Sequence, residues 1–316
     1  YAVKRGSMRV LSEKIYESVD ELVKSRYGAD VSVLHSDSVA GGDINLAYRV
    51  RLSCGNDIFV KTNSVKNADF FAAEAKGLRA LHSVKAIGVP EILGRGIDSQ
   101  KGYSFLALEY IENAPSIPSY WETFGHELAT LHRAKTAAFA VGEETGGHSS
   151  VYGFPEDNYI GATPQKNRPM GKWLDFYREC RLMPQIDMAK RYVDSGLRKK
   201  ADHLIDHLES YLREPEFPSL LHGDLWSGNM LCGPDGKAWI LDPAVYVGDF
   251  EADLAMTQLF GSLPERFYAA YAEVNPIDKK GYTERKKLYD LYHMLNHLNL
   301  FGTMYLGSVV EIIKMY

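Results

Sequence analysis

The sequence predicts an α+β protein in two lobes, a small N-terminal antiparallel β-sheet lobe with a helix over residues 8–111 and a larger, mainly helical lobe over 112–316. Three observations predict it. Apolar residues alternate with period two through most of the first third, helical spacing takes over afterwards, and one long Gly-, Pro- and Asn-rich stretch (147–171) interrupts the helical part. A chain of 316 residues with 45% hydrophobic and 24% charged residues can bury a full core.

The elements follow in order. Residues 1–7 read as a tag remnant, with Met8 the expected native start. Residues 8–26 carry Val10, Leu11, Ile15, Val19, Leu22 and Val23 along one stripe, which predicts an amphipathic helix. Period-two alternation over 32–39 and 44–62 predicts strands, with Gly55-Asn56 at the hairpin turn between Tyr48–Leu52 and Ile58–Lys61. Residues 67–84 return to helical spacing, with Asn67 or Asp69 as N-cap. Two further strands, in "GVPEILGRGID" and "YSFLALEYI", close the small lobe near Ile111. Helices are expected over 119–139, 171–182, 186–213, 250–273 and 281–314. A loop as long as 147–171 inside a compact domain is expected to be functional, and its aromatics and amides suggest an ordered one.

Net charge is −5, which marks neither a nucleic-acid nor an anionic-membrane partner. Cys54, Cys180 and Cys232 make no zinc pair and no disulfide framework, which favours a reducing, cytoplasmic setting. No apolar run approaches the roughly 18–20 residues that span a bilayer. A monomer is expected.

The densest chemistry lies in "SLLHGDLWSGNMLCGPDGKAWILDPAVY", residues 219–246. Asp224, Asn229 and Asp242 can converge at the open end of a short hairpin that uses "KAWIL" as one strand. That spacing matches phosphoryl transfer: one Asp accepts the proton of a hydroxyl, while an Asn and a second Asp offer hard oxygens to Mg²⁺ against the phosphates of ATP. Taken singly, Asp224 or Asn229 would more often form a turn; the pair followed by Ile-Leu-Asp-Pro is far more specific.

A kinase reading makes upstream demands. A Gly-rich turn should lay backbone N–H groups over phosphates, and "VAGGDINLAYRV" supplies Gly41, Gly42, Asp43, Ile44 and Asn45. A lysine should end the next strand and a helix should carry a carboxylate to orient it; Lys61 in "IFVKTN" and Glu74 in "FFAAEAKGL" fit. "LALEYIE" then brings Glu109, Tyr110 and Ile111 to the position where adenine meets backbone groups. Each part alone has an ordinary explanation, and their order makes coincidence improbable.

Other reactive side chains fall away. Ser227 has no G-x-S-x-G elbow, Cys232 reads as a small packed residue, and His222 as an organiser of backbone. His293 and His297 lie four apart but lack the HExxH glutamate, so helix packing is the better reading.

"HGDLWSGN", "DPAVYVGDFEADLAMTQLFG" and "DNYIGATPQKN…W…FYRECRLMPQ" together resemble the fructosamine kinase family, ketosamine-3-kinases similar in fold to aminoglycoside and choline kinases and hence protein-kinase-like. The resemblance runs from about Met8 to the C-terminus. It implies Asp224 as base, Asn229 and Asp242 as Mg²⁺ ligands, Lys61 and Glu74 as the ATP-orienting pair, and Trp226 as the aromatic against which the sugar packs. Asn158 and Gln165, in the matching "DNxIGxxPQxN" segment, are expected near the acceptor, which is implied to be a free or protein-bound ketosamine whose phosphorylation leads to deglycation. The chain departs from the family pattern at Asp43, where several members carry a cysteine, and at Asp249-Phe250, where many carry His-Arg. A kinase for an aminoglycoside, choline-like alcohol or sugar would use the same machinery, and a nucleotide-binding pseudokinase is a third possibility.

Overall fold

The computed structural model describes residues 14–39, 44–139 and 151–316. The chain divides into two compact units. One holds the chain up to Phe71 together with Leu93–Glu109; the other holds Ala72–Ile92 and everything from Tyr110 onward.

The first unit is built on a six-stranded sheet. Its strands are β1 (Ile15–Tyr16), β2 (Val33–Val39), β3 (Leu46–Leu52), β4 (Asp57–Ser64), β5 (Ile92–Asp98) and β6 (Tyr103–Glu109), ordered β1-β5-β6-β4-β3-β2. The β3–β4 hairpin turns where Gly55 adopts φ +90°, a conformation glycine takes without penalty. The expected helix over 8–26 is corrected. Ile15 and Tyr16 instead form an edge strand parallel to β5, so the sheet is mixed, and the helix α1 begins only at Val19 and runs to Tyr27. Ser18 is the reason: its hydroxyl accepts the Glu21 N–H, while Glu21 reaches back to the Glu17 N–H. Gly96 permits the parallel pairing, since a Cβ there would stand 2.1 Å from the Tyr16 carbonyl oxygen. Tyr16, Leu22, Val23, Val50, Leu52, Ile58, Val60, Phe105 and Ala107 form the core between α1 and the sheet.

Helix α2 (Ala68–Val84) links the two units in sequence. Asn67 precedes it, but its side-chain amide donates to Asn63. The second unit contains α3 (Tyr120–His132), a hairpin of β7 (Asn158–Ile160) and β8 (Thr163–Gln165), and α4 (Trp173–Tyr177), which passes through a π-helical turn at Arg178–Leu182 into α5 (Met183–Met188). It continues with α6 (Ser195–Asp206), β9 (Ser219–Leu221), β10 (Met230–Cys232), β11 (Ala238–Ile240), β12 (Tyr246–Gly248), α7 (Glu251–Leu259), α8 (Glu265–Val274), α9 (Lys279–Phe301) and α10 (Leu306–Ile313).

Three helices expected to be continuous are broken. Asp194 caps α6 by accepting the Leu197 N–H and so ends the preceding segment. Gly261 at φ +124° and Pro264 separate α7 from α8, and Gly302 at φ +90° separates α9 from α10. The side chains alone kept the helical period across these points, and the breakers were decisive. Helix α9 is buried along much of its length, from Tyr282 to Leu298. No helix of the described residues is long and apolar enough to cross a membrane.

Candidate active site

The loop from His222 to Asn229 leaves β9 and enters β10, and a single buried carboxylate holds its start. Asp253, on α7, accepts the His222 N–H at 2.7 Å and the Gly223 N–H at 2.8 Å. Its Oδ2 also meets His132 Nε2 at 3.2 Å, and His132 Nδ1 lies 2.8 Å from the Tyr271 hydroxyl. Burial alone would raise the Asp253 carboxyl; the hydrogen bond and charge of His132, with His222 and the Gly223 N–H, outweigh it and hold Asp253 below the usual carboxylate range. Gly223 sits at φ +83°, and a Cβ there would fall 2.1 Å from the Ala244 carbonyl oxygen. Only glycine fits this turn.

His222 organises backbone, as expected from the sequence. Its Nε2 lies 2.8 Å from the Leu241 carbonyl oxygen and so donates, leaving Nδ1 to accept the Asp224 N–H at 3.3 Å. Burial lowers its pKa and keeps the ring neutral. Strands β10 and β11 pair antiparallel, Met230 opposite Ile240, and the Leu241 N–H extends the ladder to the Asn229 carbonyl. This register delivers Asn229 and Asp242 to the same open end. Asp242 holds φ +55°, uncommon for a non-glycine residue and a mark of a backbone held by its surroundings.

Asp224 stands over this end with its side chain 23% exposed. The Asn229 amide donates to the Asp224 carbonyl oxygen at 2.9 Å and to Oδ2 at 3.3 Å, leaving the Asn229 carbonyl oxygen as its remaining polar atom. Desolvation, followed by the negative charges of Asp242 and Asp253, pushes the Asp224 carboxyl up to about 7. Surplus negative charge of this kind, beside an amide oxygen, is what a divalent cation relieves. Among the described residues no group of three or more His, Cys, Asp or Glu could hold a metal. That donor set still fits Mg²⁺, which takes one or two carboxylates and completes its shell with phosphate oxygens and water.

Two residues dismissed or missed in the sequence belong here. His293, on α9, is 4% exposed. Its Nδ1 has no hydrogen-bond partner and lies 3.9 Å from Asp224 Oδ1. Burial, then His297, pushes its pKa down to about 3, so it faces the carboxylate as a neutral ring. Asp253 had a signal that went unread, an acidic residue inside the apolar run "ADLAM".

The remaining expected residues are distributed as follows. Trp226 is 38% exposed and meets Phe260 edge to face, 6.3 Å between centroids. Asn158 and Gln165 are buried on the β7–β8 hairpin, where their amides hold backbone. Asn158 donates to the Val245 carbonyl at 2.8 Å, and its oxygen accepts from both Gln165 and Asn167. Gln165 also donates to the Ala244 carbonyl and accepts the Tyr292 hydroxyl. Their amides are spent on the 244–245 backbone, which in turn receives the His222 carbonyl through the Ala244 N–H.

In the first unit, Lys61 is buried on β4, in register with Ala47 and Leu106. Ile44 and Asn45 are pinned by Asn63, whose amide reaches the Ile44 carbonyl and Asn45 Oδ1. Gly41, Gly42 and Asp43 lie outside the described residues. Glu109 ends β6, Tyr110 and Ile111 follow outside any regular element, and Glu74 is half-buried on α2.

A mixed β-sheet unit with one helix, a helical unit, and a clamped His-Gly-Asp loop beside a hairpin bearing Asn and Asp define a phosphotransferase of kinase-like fold. Comparison with known proteins agrees. Residues 15–316 match the fructosamine kinase family model. The chain is 38% identical over 309 residues to a protein of Synechocystis named "Probable ketoamine kinase", covering 97% of this chain and 98% of the relative. It is 38% identical over 291 residues to the chloroplastic protein-ribulosamine 3-kinase of Arabidopsis thaliana, covering 92% and 84%. A crystal structure of a candidate fructosamine-3-kinase from Haemophilus somnus superposes with a TM-score of 0.80 at 28% identity, covering 95% of this chain and 97% of that one. The choline kinase LicA of Streptococcus pneumoniae shares the fold, with a TM-score of 0.59 at 15% identity over 94% and 98% of the two chains. The chain belongs to the fructosamine kinase family, and the family implies ATP as phosphoryl donor.

Proposed function

We propose that the protein transfers the γ-phosphoryl group of ATP to the 3-hydroxyl of a ketosamine, a fructosamine or ribulosamine, free or borne on a protein. The observation that carries this reading is Asp224. It is a partly exposed carboxylate with a raised pKa, on a loop clamped by Asp253 and flanked by Asn229 and Asp242. The printed names of the relatives supply the acceptor class.

In this reading Asp224 accepts the hydroxyl proton as the acceptor oxygen forms its bond to phosphorus; the bond from the γ-phosphorus to the bridging oxygen breaks, and ADP leaves. Without metal, desolvation and the charges of Asp242 and Asp253 push the Asp224 carboxyl up to about 7, which makes it a stronger proton acceptor than an ordinary carboxylate. Mg²⁺, when bound, neutralises charge on the phosphates, and Asn229 and Asp242 would hold it. Lys61 and Glu74 would orient the ATP phosphates, the backbone at Glu109, Tyr110 and Ile111 would receive adenine, and the Gly-rich composition of 41–45 suits contact with the phosphates. Trp226 offers a partly exposed ring on which the sugar packs. The phosphorylated product is unstable and releases its amine, which amounts to deglycation. Three free cysteines, Cys180 and Cys232 buried, suit a reducing compartment such as the cytoplasm.

The test is ADP release against a panel of ribulosamines and fructosamines, with choline and aminoglycosides beside them. Ketosamine-dependent turnover that falls on the order of 10²–10⁴-fold in Asp224→Asn is expected. Turnover only with the other alcohols, or a variant that keeps most of the rate, would overturn the reading.

A further inference from the structure

On α9, His293, His297 and Phe301 recur every four residues and so line one face of the helix. The line starts at the base, where His293 lies 3.9 Å from Asp224, and it runs outward. Exposure climbs along it: His293 is 4% exposed, His297 is half-buried, and Phe301 is 45% exposed. Other rings join from the side. Trp226 meets Phe260 at 6.3 Å, Phe260 meets His297 at 5.0 Å, and His297 meets Phe301 at 5.5 Å and Tyr305 at 5.0 Å. Phe260 is itself 41% exposed. Ring contacts therefore run in a lane from Trp226, two residues after the base, through Phe260 and His297 to Phe301 and Tyr305, and Phe260 and Phe301 are left partly in solvent. Stability does not ask for this, because an exposed ring such as Phe301 contributes little to a core.

We propose that this lane, formed by Phe260, His297, Phe301 and Tyr305, is a specificity subsite for the amine-borne substituent of the acceptor, and that it favours aromatic substituents. The inference rests on the ketosamine reading given above and deepens it. In a ketosamine the amine sits on C1, two carbons from the reacting C3 hydroxyl. With that hydroxyl at Asp224 and the sugar on Trp226, the C1 substituent would extend from the sugar toward the rings that adjoin Trp226, Phe260 first. The lane begins there. Ring faces at centroid separations of 5.0–5.5 Å offer offset and edge-to-face contacts to a further ring and apolar cover to a methylene chain. A plain sugar or a small alcohol would have nothing to place on it.

The test compares kcat/KM for the ribulosamine of benzylamine with that for the ribulosamine of methylamine, in wild type, Phe301→Ser, Phe260→Ser and Phe301→Trp. Wild type is expected to prefer the benzylamine adduct through a lower KM. The preference should fall about tenfold in each serine variant, the worth of roughly one aromatic contact, and return in Phe301→Trp. Both serine changes are at exposed positions, and unchanged thermal midpoints would verify folding. An equal kcat/KM for the two adducts in wild type, or a ratio that the serine variants leave untouched, overturns the subsite while ketosamine turnover itself stands. No turnover of either adduct or of the fructosamines of the same two amines overturns the function and the subsite together.

Discussion

Replacing Asp253 by asparagine probes the element on which the site rests. The carboxylate accepts three hydrogen bonds, from the His222 and Gly223 backbone amides and from His132. An asparagine keeps one carbonyl oxygen and turns an NH₂ toward donors, so at least one buried N–H loses its acceptor. An unsatisfied buried donor costs about 1–3 kcal/mol, and hydrogen bonds to charged groups stand at the upper end, so a loss of about 3 kcal/mol is expected. Denaturant unfolding measures it. Because the Asp253 pKa is depressed in the folded state, its contribution is fully present above the unfolded carboxylate value of about 4. It is lost as pH falls through the lower folded value. The difference between wild type and variant should therefore shrink toward pH 3. A second readout separates positioning from stability. The Asp253 charge helps to raise the Asp224 pKa, after desolvation and Asp242, so the acid limb of kcat/KM should move to lower pH in the variant. A loop displaced by about 1 Å should also lower kcat on the order of 10²-fold. A variant with wild-type stability, rate and acid limb would refute the clamp.

Three further outcomes follow from the same geometry. ¹³C-NMR titration of the Asp224 carboxyl without metal should give a midpoint near the raised value of about 7, moving down on adding Mg²⁺; an ordinary midpoint near 4 would contradict the desolvated site. Gly223→Ala should lower the thermal midpoint sharply or prevent folding, since the methyl would meet the Ala244 carbonyl at 2.1 Å on a backbone at φ +83°. Asn158→Ala should cost about 2–4 kcal/mol in unfolding experiments with the acceptor KM near wild type, because the amide holds the Val245 backbone; a raised KM at unchanged stability would return Asn158 to the acceptor.

Local patterns were read reliably where one residue type settles the geometry. Gly55 turned the β3–β4 hairpin where expected, and His222 organised the loop. Patterns failed where two local signals competed. Ser18 with Glu21 overruled the apolar stripe that ran back to Val10, and Gly261, Pro264 and Gly302 overruled helical spacing that the side chains kept up across them. Asn158 and Gln165 show what a sequence leaves out. Amides in a loop invite a substrate role, and nothing local reveals that the 244–245 carbonyls lie within reach to consume them.

From the sequence alone came the His-Gly-Asp loop with Asn229 and Asp242 behind it, and the family, because spacing within one hairpin and the identity of turn residues are local matters; that residues 72–92 belong with the second unit was not legible there. Tertiary structure alone decided what surrounds Asp224. Asp253 and His132 arrive from α7 and α3, and His293 from α9, each by packing across the core. The electrostatics of the base, its desolvation and its neighbouring charges depend on distances between segments far apart in the chain, and no local pattern encodes those distances.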